Sequence, residues 1–272
     1  MYKVSSMDLY NSLVLSFQNN HLKTHSNCSL LPNRILKLIQ DGLLYYIQTS
    51  NCLAFFQNNN FYYEMWYYIG ERKNDLVEIV SNKPVQISMI YQIGSNRIEY
   101  ERNFWFNNGF YKNKIARRMV KQLCLETELA EFPNGFMFLK SYHLPEITEH
   151  LYDSFNHITD QLPTQQELEQ AIGDKRLFGF INSQGELIAF IHFFCNKKYL
   201  ISLHEWVRPS DRSKGLGKLL VHSCLNLGLK QGVQRAYAWV NEGNIPSEKL
   251  HLSLGFNFDG KISEKLIFDP TK

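Results

Sequence analysis

Apolar residues along this chain come in short runs separated by polar turns, and one succession of runs occurs twice. In the second half, Gln161-Leu162-Pro163-Thr164 leads into a helix-patterned stretch. A proline and a threonine at that place are ordinary helix-start signals. Leu177-Phe178-Gly179-Phe180-Ile181 follows, then polar Asn182-Ser183-Gln184-Gly185, then Leu187-Ile188-Ala189-Phe190-Ile191. Two apolar runs around a glycine-bearing tetrapeptide predict a β-hairpin. In the first half, Leu31-Pro32-Asn33 precedes a helical run from Arg34 to Gln40. Next come Leu43 to Ile47, a turn from Gln48 to Asn51, Cys52 to Phe56, and an aromatic strand from Phe61 to Ile69. Near the end of each half stands a Gly-Phe pair, Gly109-Phe110 and Gly255-Phe256.

The ordered set predicts two copies of one fold, with domains over 1–133 and 134–272 and a join near Glu131-Phe132-Pro133-Asn134-Gly135. Each copy reads as strand, two helices, three strands, helix, strand, helix and a closing strand pair. That is a mixed α/β layer fold with helices on both faces of a sheet.

The 272 residues allow one large domain or two modest ones; the repeat favours two. With 44% hydrophobic and 20% charged residues, the chain has the makings of an ordinary folded core. A net charge of +3 gives no reason to expect a nucleic-acid or membrane partner. The most apolar run, Leu187 to Cys195, is of strand length and contains His192. The start, Met1-Tyr2-Lys3-Val4, lacks the apolar block of a signal peptide. Five scattered cysteines without a C-x-x-C predict neither disulfide framework nor metal site, and a reducing, cytoplasmic setting is expected.

The sharpest chemical signal is Val207-Arg208-Pro209-Ser210-Asp211-Arg212-Ser213-Lys214-Gly215-Leu216-Gly217-Lys218. It joins a strand-like run, Tyr199 to Val207, to an amphipathic helix, Leu219 to Gln231. Gly215 and Gly217 let backbone N–H groups approach an anion without a Cβ in the way. The helix start adds unsatisfied donors, and Arg212, Lys214 and Lys218 add full charges. The spacing is neither that of a P-loop nor that of a dinucleotide fingerprint.

Val207-x-Pro209-x-x-Arg212-x-x-Gly215-x-Gly217 resembles the acyl-CoA-binding motif of the GNAT superfamily of N-acetyltransferases, whose core is [R/Q]-x-x-G-x-[G/A]. Asn244-x-x-Ser247-x-x-Leu250-His251-x-x-Leu254-Gly255-Phe256 is similar to the family's Asn-x-x-Ala-x-x-Leu-Tyr-x-x-Leu-Gly-Phe. The resemblance covers 136–272. It implies a strand over Tyr199 to Val207 that splays from one over Arg235 to Val240. It also implies a pantetheine arm held near the Trp206 and Val207 backbone, with Asn244 and Ser247 on its flank. The pyrophosphate is then expected on the amides of Arg212, Ser213, Lys214, Gly215, Leu216, Gly217 and Lys218. A splayed sheet leaves backbone groups unpaired, and an amide-rich ligand satisfies them.

The resemblance implies an acyl-CoA-dependent N-acyltransferase, with acetyl-CoA as the expected co-substrate and direct transfer to a small-molecule or peptide amine. An ammonium must lose a proton before attack. Strand alternation puts Ile201, Leu203, Glu205 and Val207 on one face, which makes Glu205 the candidate base; a surface ion pair is its other reading. His251 stands where the family often has a tyrosine that protonates the leaving thiolate, so it is read as acid, cofactor contact or helix residue. His204 and His192 read as structural, although His192 could line the acceptor cleft. Tyr237 and Trp239 read as core residues or as acceptor-site walls.

In the first half, Gly70 to Ile79 contains no x-G-x-G turn, and the hairpin-to-Gly-Phe spacing is shorter by 12 residues. That half is expected to be a degenerate GNAT-like domain without CoA. Its cluster Lys112, Lys114, Arg117, Arg118 and Lys121 reads as a solvated face or as an anion surface. Two alternatives stay open. One is a non-catalytic acyl-CoA sensor or scaffold. The other is similarity to aminoacyl-tRNA-dependent peptidoglycan transferases, against which the intact loop and small net charge count.

Overall fold

Helix starts follow local side-chain chemistry. The Thr164 hydroxyl accepts the Glu167 N–H at 3.2 Å, while the Glu167 carboxylate accepts the Thr164 N–H at 2.9 Å. This reciprocal cap begins the helix that Pro163 and Thr164 predict. Ser6 caps the first helix of the chain in the same sense, accepting the Leu9 N–H at 3.1 Å.

The computed structural model describes residues 1–71, 76–124 and 134–272. They pack as two units, 1–115 with 262–272, and 116–261. The elements run β1 (Tyr2–Lys3), α1 (Met7–Asn19), β2 (Thr24–Ser26), α2 (Pro32–Gln40), β3 (Leu44–Gln48), β4 (Cys52–Asn58), β5 (Tyr63–Gly70), β6 (Val85–Gln92), α3 (Arg97–Asn107) and β7 (Tyr111–Gln122). They continue with β8 (Phe136–Phe138), α4 (Leu144–Ser154), α5 (Gln165–Gly173), β9 (Leu177–Ile181), β10 (Leu187–Cys195), β11 (Leu200–Val207), α6 (Leu216–Lys230), β12 (Arg235–Asn241), α7 (Ile245–Ser253) and β13 (Asn257–Phe268).

In the first unit the strand order is β1-β3-β4-β5-β6, with β2 on β5 and residues 262–268 of β13 beside β6. One face carries a core with Phe56, Tyr67, Ile87 and Trp105, under α3. The other carries Tyr10, Phe17, Leu38 and Phe55, under α1 and α2. In the second unit the order is β7-β12-β11-β10-β9-β8. Its two cores are built on Phe193, Leu220, Leu229 and Phe256 below α6, and on Ile147, Leu168, Phe190 and Trp206 below α4 and α5. Each unit is thus a mixed, mostly antiparallel sheet flanked by helices.

The two units repeat one another in register. β5 and β6 are parallel over Tyr63↔Val85, Glu64↔Gln86 and Met65↔Ile87. β11 and β12 are parallel over Leu200↔Ala236, Ile201↔Tyr237 and Ser202↔Ala238. Both Gly-Phe pairs are the same helix stop. Gly109 and Gly255 take φ +82 and +81, and the N–H groups of Phe110 and Phe256 donate to the carbonyls of Trp105 and His251 at 3.0 and 3.1 Å. Trp105 and His251 are therefore equivalent positions.

Two sequence expectations change. Each copy was expected to carry a helix between its fourth and fifth strands; among the described residues only the second unit does, as α6. Part of the shortened first-half segment, 72–75, lies outside the described residues. Of the expected join, Glu131-Phe132-Pro133 also lies outside them. The packing units divide the chain at other places, because residues 116–122 pair antiparallel with β12 and residues 262–268 join the first unit.

Candidate active site

A one-residue irregularity shapes the second unit's central strand. Phe193 pairs with Ser202, but His192 pairs with His204, so Leu203 is an extra residue in β11. A bulge of this kind bends a strand and increases its twist. Pairing with β12 ends just before it, at Ser202↔Ala238. From Leu203 to Val207 the β12-facing edge of β11 is open, in line with the expected splay.

The bulge also corrects the alternation read from the sequence. Leu200, not Ile201, shares a face with Glu205 and Val207; Leu200 packs against Gly228 of α6, while Trp206 belongs to the α4/α5 core. Trp206 is fixed on that side by stacking on His150, with centroids 3.8 Å apart, and by donating Nε1–H to Ser154 Oγ at 3.0 Å. Its backbone pairs with Phe190 of β10, so the backbone groups along the open edge are those of Glu205 and Val207, not of Trp206 as the sequence led us to expect.

Beyond Val207 the chain makes a short 3-10 turn over Pro209–Asp211 and enters α6. Arg212 Nε donates to the Val207 carbonyl at 3.1 Å, which ties the turn to the strand end. Ser213 has φ +63 and Gly215 φ +84. Left-handed residues this close together turn successive N–H groups toward one side, a concavity suited to an anion. A Cβ at Gly215 would meet nothing within 4 Å, so the approach is open.

Gly217 has a different reason. A Cβ there would come within 2.8 Å of Leu250 Cδ1, so the glycine lets a Leu250 methyl of α7 lie close against α6. The sequence reading missed Asp211. Its carboxylate binds Lys214 Nζ at 2.8 Å and also Arg208, and these partners hold its pKa down to about 2. Lys214 is thereby committed within the turn. Three-residue spacing on both sides of Asp211 was the available signal.

Glu205 and His251, proposed on separate grounds, come together. His251 Nε2 lies 3.4 Å from Glu205 Oε1, and His251 Nδ1 donates to the Ser247 carbonyl at 2.9 Å. His251 is buried, 1% exposed, whereas the Glu205 side chain retains 21%. Burial alone would lower the imidazole pKa. The nearby Glu205 carboxylate, with the Ser247 carbonyl, outweighs it and raises the value above the ordinary one. The pair can hold a proton beside an accessible carboxylate.

Asn244 caps α7, its Oδ1 accepting the Ser247 N–H at 3.2 Å, and the Ser247 hydroxyl lies 3.5 Å from His251 Nδ1. His204 and His192 are buried with rings 5.8 Å apart and nearly parallel, and His204 Nε2 donates to the Asp160 carbonyl at 3.1 Å. Tyr237 and Trp239 are half-buried on β12; the Tyr237 ring lies under Arg118 at 4.7 Å. The basic cluster is divided by pairing: Arg118 binds Asp259, Arg117 approaches Glu242, and Lys121 donates to the Leu254 carbonyl at 2.6 Å. Cys124 is exposed. No helix among the described residues is long and apolar enough to cross a membrane.

Residues 144–256 match the family model described as "Acetyltransferase (GNAT) family". A GCN5-related N-acetyltransferase from Sphaerobacter thermophilus has TM-score 0.57 at 13% identity, over 81% of this chain and 78% of its own. A GNAT-family acetyltransferase from Colwellia psychrerythraea has TM-score 0.55 at 13% identity, over 98% of each chain. A tandem GNAT protein from the clavulanic acid biosynthesis pathway has TM-score 0.53 at 11% identity, over 80% of this chain and 79% of its own. At such identities the likeness is one of fold. No curated protein sequence matches the chain.

Proposed function

With residues 144–256 a GNAT acetyltransferase domain, we propose that this chain transfers an acyl group from acyl-CoA, with acetyl-CoA the expected donor, directly to an amine. One observation carries the reading: the open edge of β11 runs straight into the left-handed turn at the α6 start. That arrangement offers unpaired strand groups to an amide-bearing arm and a row of N–H groups to a pyrophosphate. The residues that would hold the co-substrate are the Val207 backbone, the Arg212 to Lys218 turn, and Asn244 and Ser247 at the start of α7.

Acyl-CoA supplies the activated thioester. Glu205 Oε1 takes a proton from the acceptor ammonium. His251 Nε2 holds the proton that neutralises the departing thiolate, kept in place by Glu205 on one side and by the Ser247 carbonyl on the other. The acceptor is a small-molecule or peptide amine, and a cytoplasmic setting suits the free cysteines.

The test is a thermal melt with acetyl-CoA, followed by thiol release across pooled amines, amino acids and peptides. Saturating ligand at about 100 times Kd stabilises by ~2.7 kcal/mol. No melting shift at saturating acetyl-CoA sinks the reading. The second reading, a non-catalytic acyl-CoA module, draws on the deep burial of His251. It predicts the melting shift without turnover.

A further inference from the structure

The opening between β11 and β12 has a counterpart in the first unit. β5 and β6 part after Met65↔Ile87, at the end of a matching three-pair window. There the chain fills the opening with its own β2. Ser26, His25 and Thr24 pair antiparallel with Tyr68, Ile69 and Gly70. Asn27 sits at the apex: Nδ2 donates to the Met65 carbonyl at 3.3 Å and the Ser88 carbonyl at 3.1 Å, one from each parting strand. Its Oδ1 accepts the Tyr67 N–H at 2.8 Å, and the Ser26 hydroxyl donates to the Tyr67 carbonyl at 2.6 Å.

A parting sheet presents both donors and acceptors, and leaving them unmet in a core is costly. An amide meets both kinds, whether it belongs to a ligand or to an asparagine. The segment is held from behind as well. His25 is buried, with Nε2 3.2 Å from Glu71 and its ring 4.8 Å from Tyr100, whose hydroxyl donates to the Gly70 carbonyl at 2.6 Å.

We infer that Thr24–Asn27 is a built-in surrogate ligand. It occupies in the first unit the opening that the second unit keeps free, so the chain takes up one acyl-CoA rather than two. The surrogate rests on the first unit alone; the count of one rests on the function proposed above. The first unit has also lost the proton-carrying pair. Trp105 stands at the His251 position, and its ring packs on Tyr67 at 4.9 Å.

Hydrogen exchange on the full chain, with and without CoA, tests this together with calorimetric titration. The Tyr67 amide is expected to exchange slowly in the free protein. CoA should slow exchange over 203–207 and 212–218, leave 65–70 unchanged, and bind one per chain. Protection of 65–70 by CoA, two CoA per chain, or a Tyr67 amide as fast as an exposed loop overturns the inference.

If CoA protects neither segment, the proposed function fails, and Asn27→Ala decides the surrogate. That change should speed Tyr67 exchange about tenfold or more and lower Tm by about 3–8 °C. Unchanged exchange overturns the inference. Should Asn27→Ala not fold, Ser26→Ala removes a single bond to Tyr67, and an unchanged Tm and exchange rate there count against it equally.

Discussion

His192 should make the second unit acid-sensitive in a way that can be calculated. Its side chain is buried on β10, 6% exposed, beside His204. Burial, then the neighbouring His204 and Arg176 charges, lower its pKa from 6.5 to about 3. In the unfolded chain it titrates near ~6.5. Between these values the unfolded state takes up a proton that the folded state refuses. Stability from this residue is therefore full above about 6.5 and drains away as pH falls toward 3. At pH 5 the loss comes to about 2 kcal/mol, or about 4–8 °C in Tm for a chain of this size. His192→Phe fills the space and cannot titrate. Urea melts at pH 7.5 and pH 5.0 should show the variant losing about 2 kcal/mol less than the parent over that interval. Parallel pH dependence of the two proteins, or an NMR titration of His192 near 6.5, would refute the reasoning. At neutral pH this imidazole carries no exchangeable charge, so turnover by His192→Phe should match the parent.

Glu205→Gln should lose about 10²–10⁴ in turnover and keep its acetyl-CoA melting shift. It should also drop the His251 pKa, since burial then acts without the carboxylate; an NMR titration of His251 reads this, and an unchanged rate takes the base role from Glu205. Gly215→Ala places a Cβ at φ +84 in open space, so it should cost about 1–2 kcal/mol from backbone strain alone and weaken the acetyl-CoA shift. An undiminished shift means those amides do not cradle the anion. At Gly217 the obstacle is a single Leu250 methyl. Gly217→Ala should stay within about 1 kcal/mol of the parent, because gained helix propensity offsets a small shift. Gly217→Val should cost about 1–3 kcal/mol, and equal melts for the two would contradict the packing reason.

What the sequence carries openly is what short-range chemistry decides. The hairpin around Asn182 to Gly185, the Thr164 helix start, the Gly-Phe stops and the turn from Arg212 to Gly217 all depend on neighbours a few residues apart. The Glu205–His251 pair was readable as two separate residues only. Glu205 stands out as a carboxylate in an apolar strand, and His251 by its place in a family-like segment; their 3.4 Å approach needs β11 and α7 packed together. Leu203 could not be seen at all, because a bulge leaves no mark on an alternating pattern beyond shifting its phase. Yet that residue sits where β11 leaves β12.

Asn27 is hidden for the same reason at longer range. Its three partners lie 38, 40 and 61 residues away, and nothing around it departs from an ordinary polar loop. The sequence leads to the expectation of no co-substrate in the first unit, from a trimmed turn. The surrogate inferred above is a cause of another kind, an opening already filled. These causes are independent: restoring a glycine turn after β5 would still leave Asn27 bonded across the apex, with Trp105 where the second unit has His251. A single graft should therefore fail to give the first unit acyl-CoA binding, and its failure would follow from the sheet rather than from the turn.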